Sequence, residues 1–111
     1  MKEKRVLIVD DEADFGLLMR EFFDKKGYRV FLASSIATGL CLLQQEKPDV
    51  MLLDNNLPDG LGWGKTEFIL ANYPKTQLIL VSAMDVPKTS SSSFSILYKP
   101  LIKGELNKMF V

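Results

Sequence analysis

Three short stretches of the chain, residues 6–9, 50–53 and 78–81, are apolar without interruption, and each stops at a polar side chain: Asp10-Asp11, Asp54 and Ser82. Unbroken runs of this length, rich in Val, Ile and Leu, are the pattern of strands covered on both faces of a parallel sheet. They predict the centre of the sheet. Between the first two runs, Phe15, Leu18, Met19, Phe22 and Phe23 recur at helical spacing and end before Gly27, a natural helix stop. Residues 28–33 alternate weakly as a second strand. Ser34 or Ser35 can cap a helix carrying Ile36, Leu40 and Leu43, which Lys47-Pro48 terminates. A third helix fits residues 65–72 and closes at Tyr73-Pro74. Strands alternating with helices imply βαβ units with right-handed crossovers, hence an α/β, doubly wound parallel sheet.

The last third breaks this rhythm. Between Ser82 and Lys99 the chain is too short for a loop, a helix of about 11–12 residues, a turn and a strand of about 5–6. Residues 87–93 are also rich in serine, whose side chain competes for backbone hydrogen bonds. The expectation is a fourth helix shortened or missing, a last strand around Ile96 to Tyr98, and a terminal helix over residues 102–110 with Leu106 and Met109 or Phe110 facing inward.

Composition narrows the function without supplying it. A chain of 111 residues with 47% hydrophobic content supports one core, so a single domain over 1–111 is expected. Lys+Arg and Asp+Glu are both 14, a balance that gives no reason to expect direct nucleic-acid or membrane binding. With one cysteine, Cys41, and no histidine, an internal disulfide, a cysteine zinc cluster and a Cys/His catalytic pair are excluded. The short N-terminal apolar stretch is not a signal peptide or a membrane span, and a reducing, cytoplasmic setting is the simplest expectation.

The candidate chemistry lies where the strands end, because ligands of open parallel sheets bind outside the carboxyl ends of the strands. Asp10, Asp11, Asp54, Ser82 and Lys99 all occupy such positions. Mg²⁺ favours hard oxygen ligands, and one or two carboxylates, a carbonyl and a phosphoryl oxygen suffice to hold it. Without a cation the three aspartates repel, which raises at least one pKa. Phosphoryl transfer depends on positioning and neutralisation of charge, so each residue has a task. Asp54 would attack in line, Lys99 would pair with one phosphoryl oxygen, Ser82 would donate to another, and the metal would take the third.

These residues carry a resemblance that spans nearly the whole chain. Val-Asp-Asp-Glu at 9–12, Leu-Leu-Asp-Asn-Asn-Leu-Pro-Asp-Gly at 52–60 with Gly62, Val-Ser-Ala at 81–83 and Lys-Pro at 99–100 resemble a receiver domain of the two-component response regulator family. The resemblance implies a flavodoxin-like five-stranded sheet of order 2-1-3-4-5. It also implies Asp54 as phosphoacceptor, Asp11 as the main direct Mg²⁺ ligand with Asp10 assisting through water, and the Asn56 backbone carbonyl as a further ligand. A sensor histidine kinase or a phosphotransfer protein would be the donor, and output would pass to another protein by contact. The domain would catalyse only its own aspartyl phosphorylation and dephosphorylation. The family builds a dimerisation surface from its last two helices and strand, so a homodimer is one assembly open to the chain. Two departures stand out: the short fourth crossover, and Ile96 where the family usually carries Tyr or Phe.

Other readings compete. Asp10 or Asp11 alone would serve as a helix cap, Asp54 as a turn former, Ser82 as a loop serine and Lys99 as a solvated lysine. Trp63 reads as a partly buried anchor before the third helix and Cys41 as a packed helix residue. A phosphorylation-independent receiver-like binding module with an altered last crossover is the alternative function. A flavin carrier is disfavoured by the acidic loop after Val9, where a phosphate would want amides and hydroxyls.

Overall fold

A computed structural model of the chain describes residues 3–82, 94–99 and 110. The crossover in which a shortened or missing fourth helix is expected, including the serine-rich 87–93 stretch, lies outside the described residues, as do Pro100 and all of the expected terminal helix except Phe110. Five strands form one sheet: β1 (Arg5–Val9), β2 (Arg29–Ala33), β3 (Val50–Asp54), β4 (Gln77–Ser82) and β5 (Phe94–Tyr98). Their order is 2-1-3-4-5 and every neighbouring pair is parallel, as expected. The crossovers carry α1 (Ala13–Lys25), α2 (Ile36–Glu46) and α3 (Thr66–Asn72).

The continuous apolar runs become the fully covered strands. Val6 to Val9 of β1 and Leu78 to Val81 of β4 are each 3% exposed or less, so each strand packs apolar side chains on both faces. Burial of a Val or Leu side chain contributes about 1.5–3 kcal/mol, which makes the three central strands the main source of stability. One face meets Phe15, Met19, Phe22 and Phe23 of α1; the other meets Leu43 of α2 and Ile69 of α3. Phe110 packs edge-on against Phe23 with ring centroids 5.0 Å apart, closing an aromatic group with Phe22 and Tyr28.

Helix ends follow local chemistry. Ser35 caps α2, its Oγ accepting from the Thr38 amide at 3.2 Å. Lys47 ends it in a left-handed conformation, φ 43°, just before Pro48. Gly27 takes φ 83° after α1, a value that side chains with a Cβ rarely adopt.

Three details differ from the sequence expectation. Leu18 is 52% exposed rather than on the buried face of α1. The buried face of the helix runs instead through Phe15, Gly16, Met19, Phe22 and Phe23. The third helix begins at Thr66, after a single 3₁₀ turn over Gly62–Lys65, because two glycines and the anchored Trp63 favour a tighter turn there. The last strand starts at Phe94, two residues early, and Phe94 and Ile96 pack on the same cluster as residues two apart on a strand should.

Candidate functional site

The parallel register brings the strand ends to one level. Val9 pairs with Leu53, Asp54 with Val81, and Ser82 with Tyr98, so the polar residue that follows or ends each apolar run emerges at the same rim. The Asp10 amide donates to the Ala33 carbonyl at 2.9 Å, which extends the sheet's pairing one residue past β1 and fixes where its carboxylate starts. One carboxylate oxygen from each of Asp10, Asp11 and Asp54 lies within 4.8 Å of the other two. Asp10 and Asp54 are buried, 8% and 5% exposed, whereas Asp11 is exposed. Acidic groups brought this close at the mouth of a sheet form a donor set suited to a hard divalent cation.

Lys99 reaches this group from the far side. Its backbone amide donates to the Ser82 carbonyl at 2.7 Å, tying the end of β5 to the end of β4. Its Nζ lies 2.8 Å from Asp10 Oδ2 and 3.0 Å from Glu12 Oε1, and 4.4 Å from the centre of the Phe15 ring. Burial pulls the Lys99 pKa down, but hydrogen bonds to Asp10 and Glu12 and the charges of Asp10 and Asp54 outweigh it, leaving a net rise. The ammonium is therefore fully charged at neutral pH. Burial, with the Asp10 charge beside it, pushes the Asp54 carboxyl up to about 6; Lys99 and the Asn55 amide pull it partly back, and Asp11 adds a smaller rise. The rise expected on at least one of the three acids is present at Asp54, with burial as its first cause and the Asp10 charge as its second.

The loop after Asp54 is fixed by its own hydrogen bonds. The Asn55 carbonyl accepts from the Gly62 amide at 2.8 Å and its side-chain Oδ1 accepts from the Trp63 amide at 3.1 Å. The Trp63 indole N–H donates to the Leu53 carbonyl at 3.2 Å, so this residue is the anchor expected of it. A Cβ at Gly62 would overlap the Asp54 carbonyl oxygen, and only glycine permits this approach. Asn56 and Leu57 pair with Gly60 and Leu61 in a two-residue antiparallel ribbon, which holds Asn56 next to the acids with its side chain exposed.

All five strand-end residues singled out in the sequence meet at this rim, and Ser82 is buried there. The helix-cap reading of Asp10 is true in a limited sense: its Oδ1 accepts from the Glu12 amide at 2.8 Å, while Oδ2 faces Lys99. Cys41, expected to be packed, is exposed, because α2 turns Leu43 and Gly39 inward instead. Two residues were missed. Glu12 pairs with a lysine that is 87 positions away, and no local pattern announces such a contact. Asp59 accepts from the amides of Ile36 and Ala37 at 2.8 and 3.0 Å, capping α2 from the loop after β3. These amides, Ile36 first, hold its carboxyl below the usual range. Its position before Gly60 reads in sequence only as a turn.

Among the described residues no helix is long and apolar enough to cross a membrane. A family model described as response regulator receiver domain matches residues 6–110. Among curated proteins, the chain is 38% identical over 63 residues to sporulation initiation phosphotransferase F of Bacillus subtilis, covering 55% of this chain and 51% of that protein. It is 34% identical over 108 residues to the KDP operon transcriptional regulatory protein KdpE of Escherichia coli, covering 91% of this chain and 47% of that protein. The chain spans about half or less of the length of the first curated relatives it matches. In structure it resembles the chemotaxis protein CheY4 of Vibrio cholerae, with a TM-score of 0.83 at 23% identity, covering 97% of this chain and 96% of that one. With the family model spanning nearly every residue from β1 onward, the chain belongs to the response regulator receiver domains of two-component signalling.

Proposed function

We propose that this chain is a phosphoacceptor receiver, phosphorylated on Asp54 in a Mg²⁺-dependent reaction. A sensor histidine kinase or a phosphotransfer protein would be the donor, and a protein contact surface in the cytoplasm would carry the output. The observation that supports this reading is the convergence of Asp10, Asp11 and Asp54 within 4.8 Å, with the Lys99 ammonium 2.8 Å from Asp10. Asp11 and Asp54 would hold Mg²⁺ directly, Asp10 would assist through water and the Asn56 carbonyl would complete the protein's share. When bound, the cation supplies neutralisation of the acidic cluster and of the incoming phosphoryl oxygens.

The chain's own residues do the rest. A carboxylate oxygen of Asp54 forms the new bond to phosphorus as the donor's bond to phosphorus breaks, and the donor departs with the electron pair. No proton or water is consumed in that step. The Ser82 hydroxyl would donate to one phosphoryl oxygen and Lys99 would neutralise another, spreading the charge that develops on transfer. Domain 1–111 would act as one unit throughout.

Incubation with Mg²⁺ and a small acyl-phosphate donor tests the reading. One acid-stable, base-labile phosphoryl group should appear on the protein, and Asp54→Asn should abolish it. Labelling that persists in Asp54→Asn contradicts the assignment.

A further inference from the structure

Lys99 is needed at Asp54 if the phosphoacceptor reading holds, yet the ion pairs among the described residues attach it elsewhere. Its Nζ sits between Asp10 Oδ2 and Glu12 Oε1, over the Phe15 ring. Asp10 is deep in the pocket and belongs to the acidic cluster itself. Glu12 does not: its side chain is 59% exposed, it stands outside the group of three converging carboxylates, and it meets Lys99 at the pocket's lip. Glu12 is also the N-cap residue of α1, yet its carboxylate makes no cap hydrogen bond. Its partner is the lysine instead.

We infer that Glu12 is a positioning residue that holds the Lys99 ammonium on the Asp10 side of the pocket, so that the lysine must leave Glu12 to meet a phosphoryl oxygen on Asp54. This rests on the phosphoacceptor reading and adds a brake to it. A lysine with four rotatable carbons can swing between two acceptors at one rim, and the acceptor it leaves sets the cost of the swing. Phe15 keeps the stem and head aligned along that path, since a cation over an aromatic face is attracted without being tied to one oxygen. A pair whose acid is exposed to solvent, as Glu12 is, contributes modestly, which suits a contact that must break. Glu12 therefore weakens the phosphorylated state relative to the resting one without touching the reacting atoms.

Beryllofluoride, a phosphoryl mimic, provides the test. Its affinity in saturating Mg²⁺ is measured by titration calorimetry for the wild-type chain, Glu12→Gln and Glu12→Asp. Glu12→Gln removes the charge, and Glu12→Asp keeps it but shortens the reach to Lys99. Both variants should bind the mimic two- to five-fold more tightly, with unchanged Mg²⁺ stoichiometry. Unchanged affinity in both overturns the inference, and so does a change confined to Glu12→Gln, which would be an effect of net charge alone. Wild-type protein that binds Mg²⁺ but no mimic would overturn the phosphoacceptor reading and this inference with it.

Discussion

The two rims of the sheet handle charge in opposite ways. At the amino ends of the strands, Arg5 pairs with Glu46 at 3.1 Å and also donates to the Glu46 carbonyl, while its amide donates to Asp49 Oδ2 at 2.8 Å. The Thr76 hydroxyl, buried at the same end, donates to the Pro48 carbonyl at 2.8 Å. These contacts tie one loop to the next, although the buried Arg5 Nε has no hydrogen-bond partner. At the carboxyl ends, Asp10, Asp11, Glu12 and Asp54 face Lys99, which contacts only Asp10 and Glu12 among them. The same kinds of side chain are structural where each acid accepts from a neighbouring donor, as Glu46 and Asp49 do, and become a prospective ligand site where three carboxylates converge. Burial, with the Asp10 charge beside it, raises the pKa of Asp54; at the other end Glu46 and Asp49 already accept from Arg5.

The largest effect expected from disturbing this contrast comes from the backbone beside the acidic rim. Gly62→Ala forces a Cβ into the Asp54 carbonyl, and because the Asn55 hydrogen bonds hold the loop in place it should cost about 2–3 kcal/mol in chemical denaturation. A loss near zero would mean that the loop yields and that the rim is not rigidly built.

Asp54→Asn should act in the other direction. The folded pKa of about 6 lies above the ordinary 3.8, so the group's contribution to stability is fully present below pH 3.8 and is lost as pH rises through 6. Removing the charge should therefore stabilise the metal-free protein by about 1–2 kcal/mol at pH 8, less than the full shift implies because solvent reaches the pocket mouth. At pH 3.5 the two proteins should have equal stability. A variant less stable than wild type at pH 8 would show that Asp54 is well compensated, removing the contrast between the rims.

The sequence carried the central part of this arrangement because burial on both faces demands continuous apolar runs, and the end of each run is then visible as the first polar residue. Asp10, Asp54 and Ser82 were legible for that reason, and Lys99 through its place before Pro100. Contacts that depend on how separate crossovers meet were not legible. Glu12 and Asp59 look like ordinary surface acids until the fold sets one against Lys99 and the other against the first amides of α2. Leu18 failed in the same way: helical spacing places it on the apolar stripe, but the face that α1 turns to the sheet runs through Phe15, Gly16, Met19, Phe22 and Phe23 and leaves Leu18 outside.

The claim on which the account rests is that uncompensated acidity at the carboxyl rim captures a divalent cation, and a Mg²⁺ titration at neutral pH by calorimetry tests it most directly. The account predicts one site in the wild-type chain, weakened at least ten-fold by Asp11→Asn and unaltered by Glu46→Gln at the opposite rim. Absence of binding at millimolar Mg²⁺, or equal affinity in all three proteins, would contradict it.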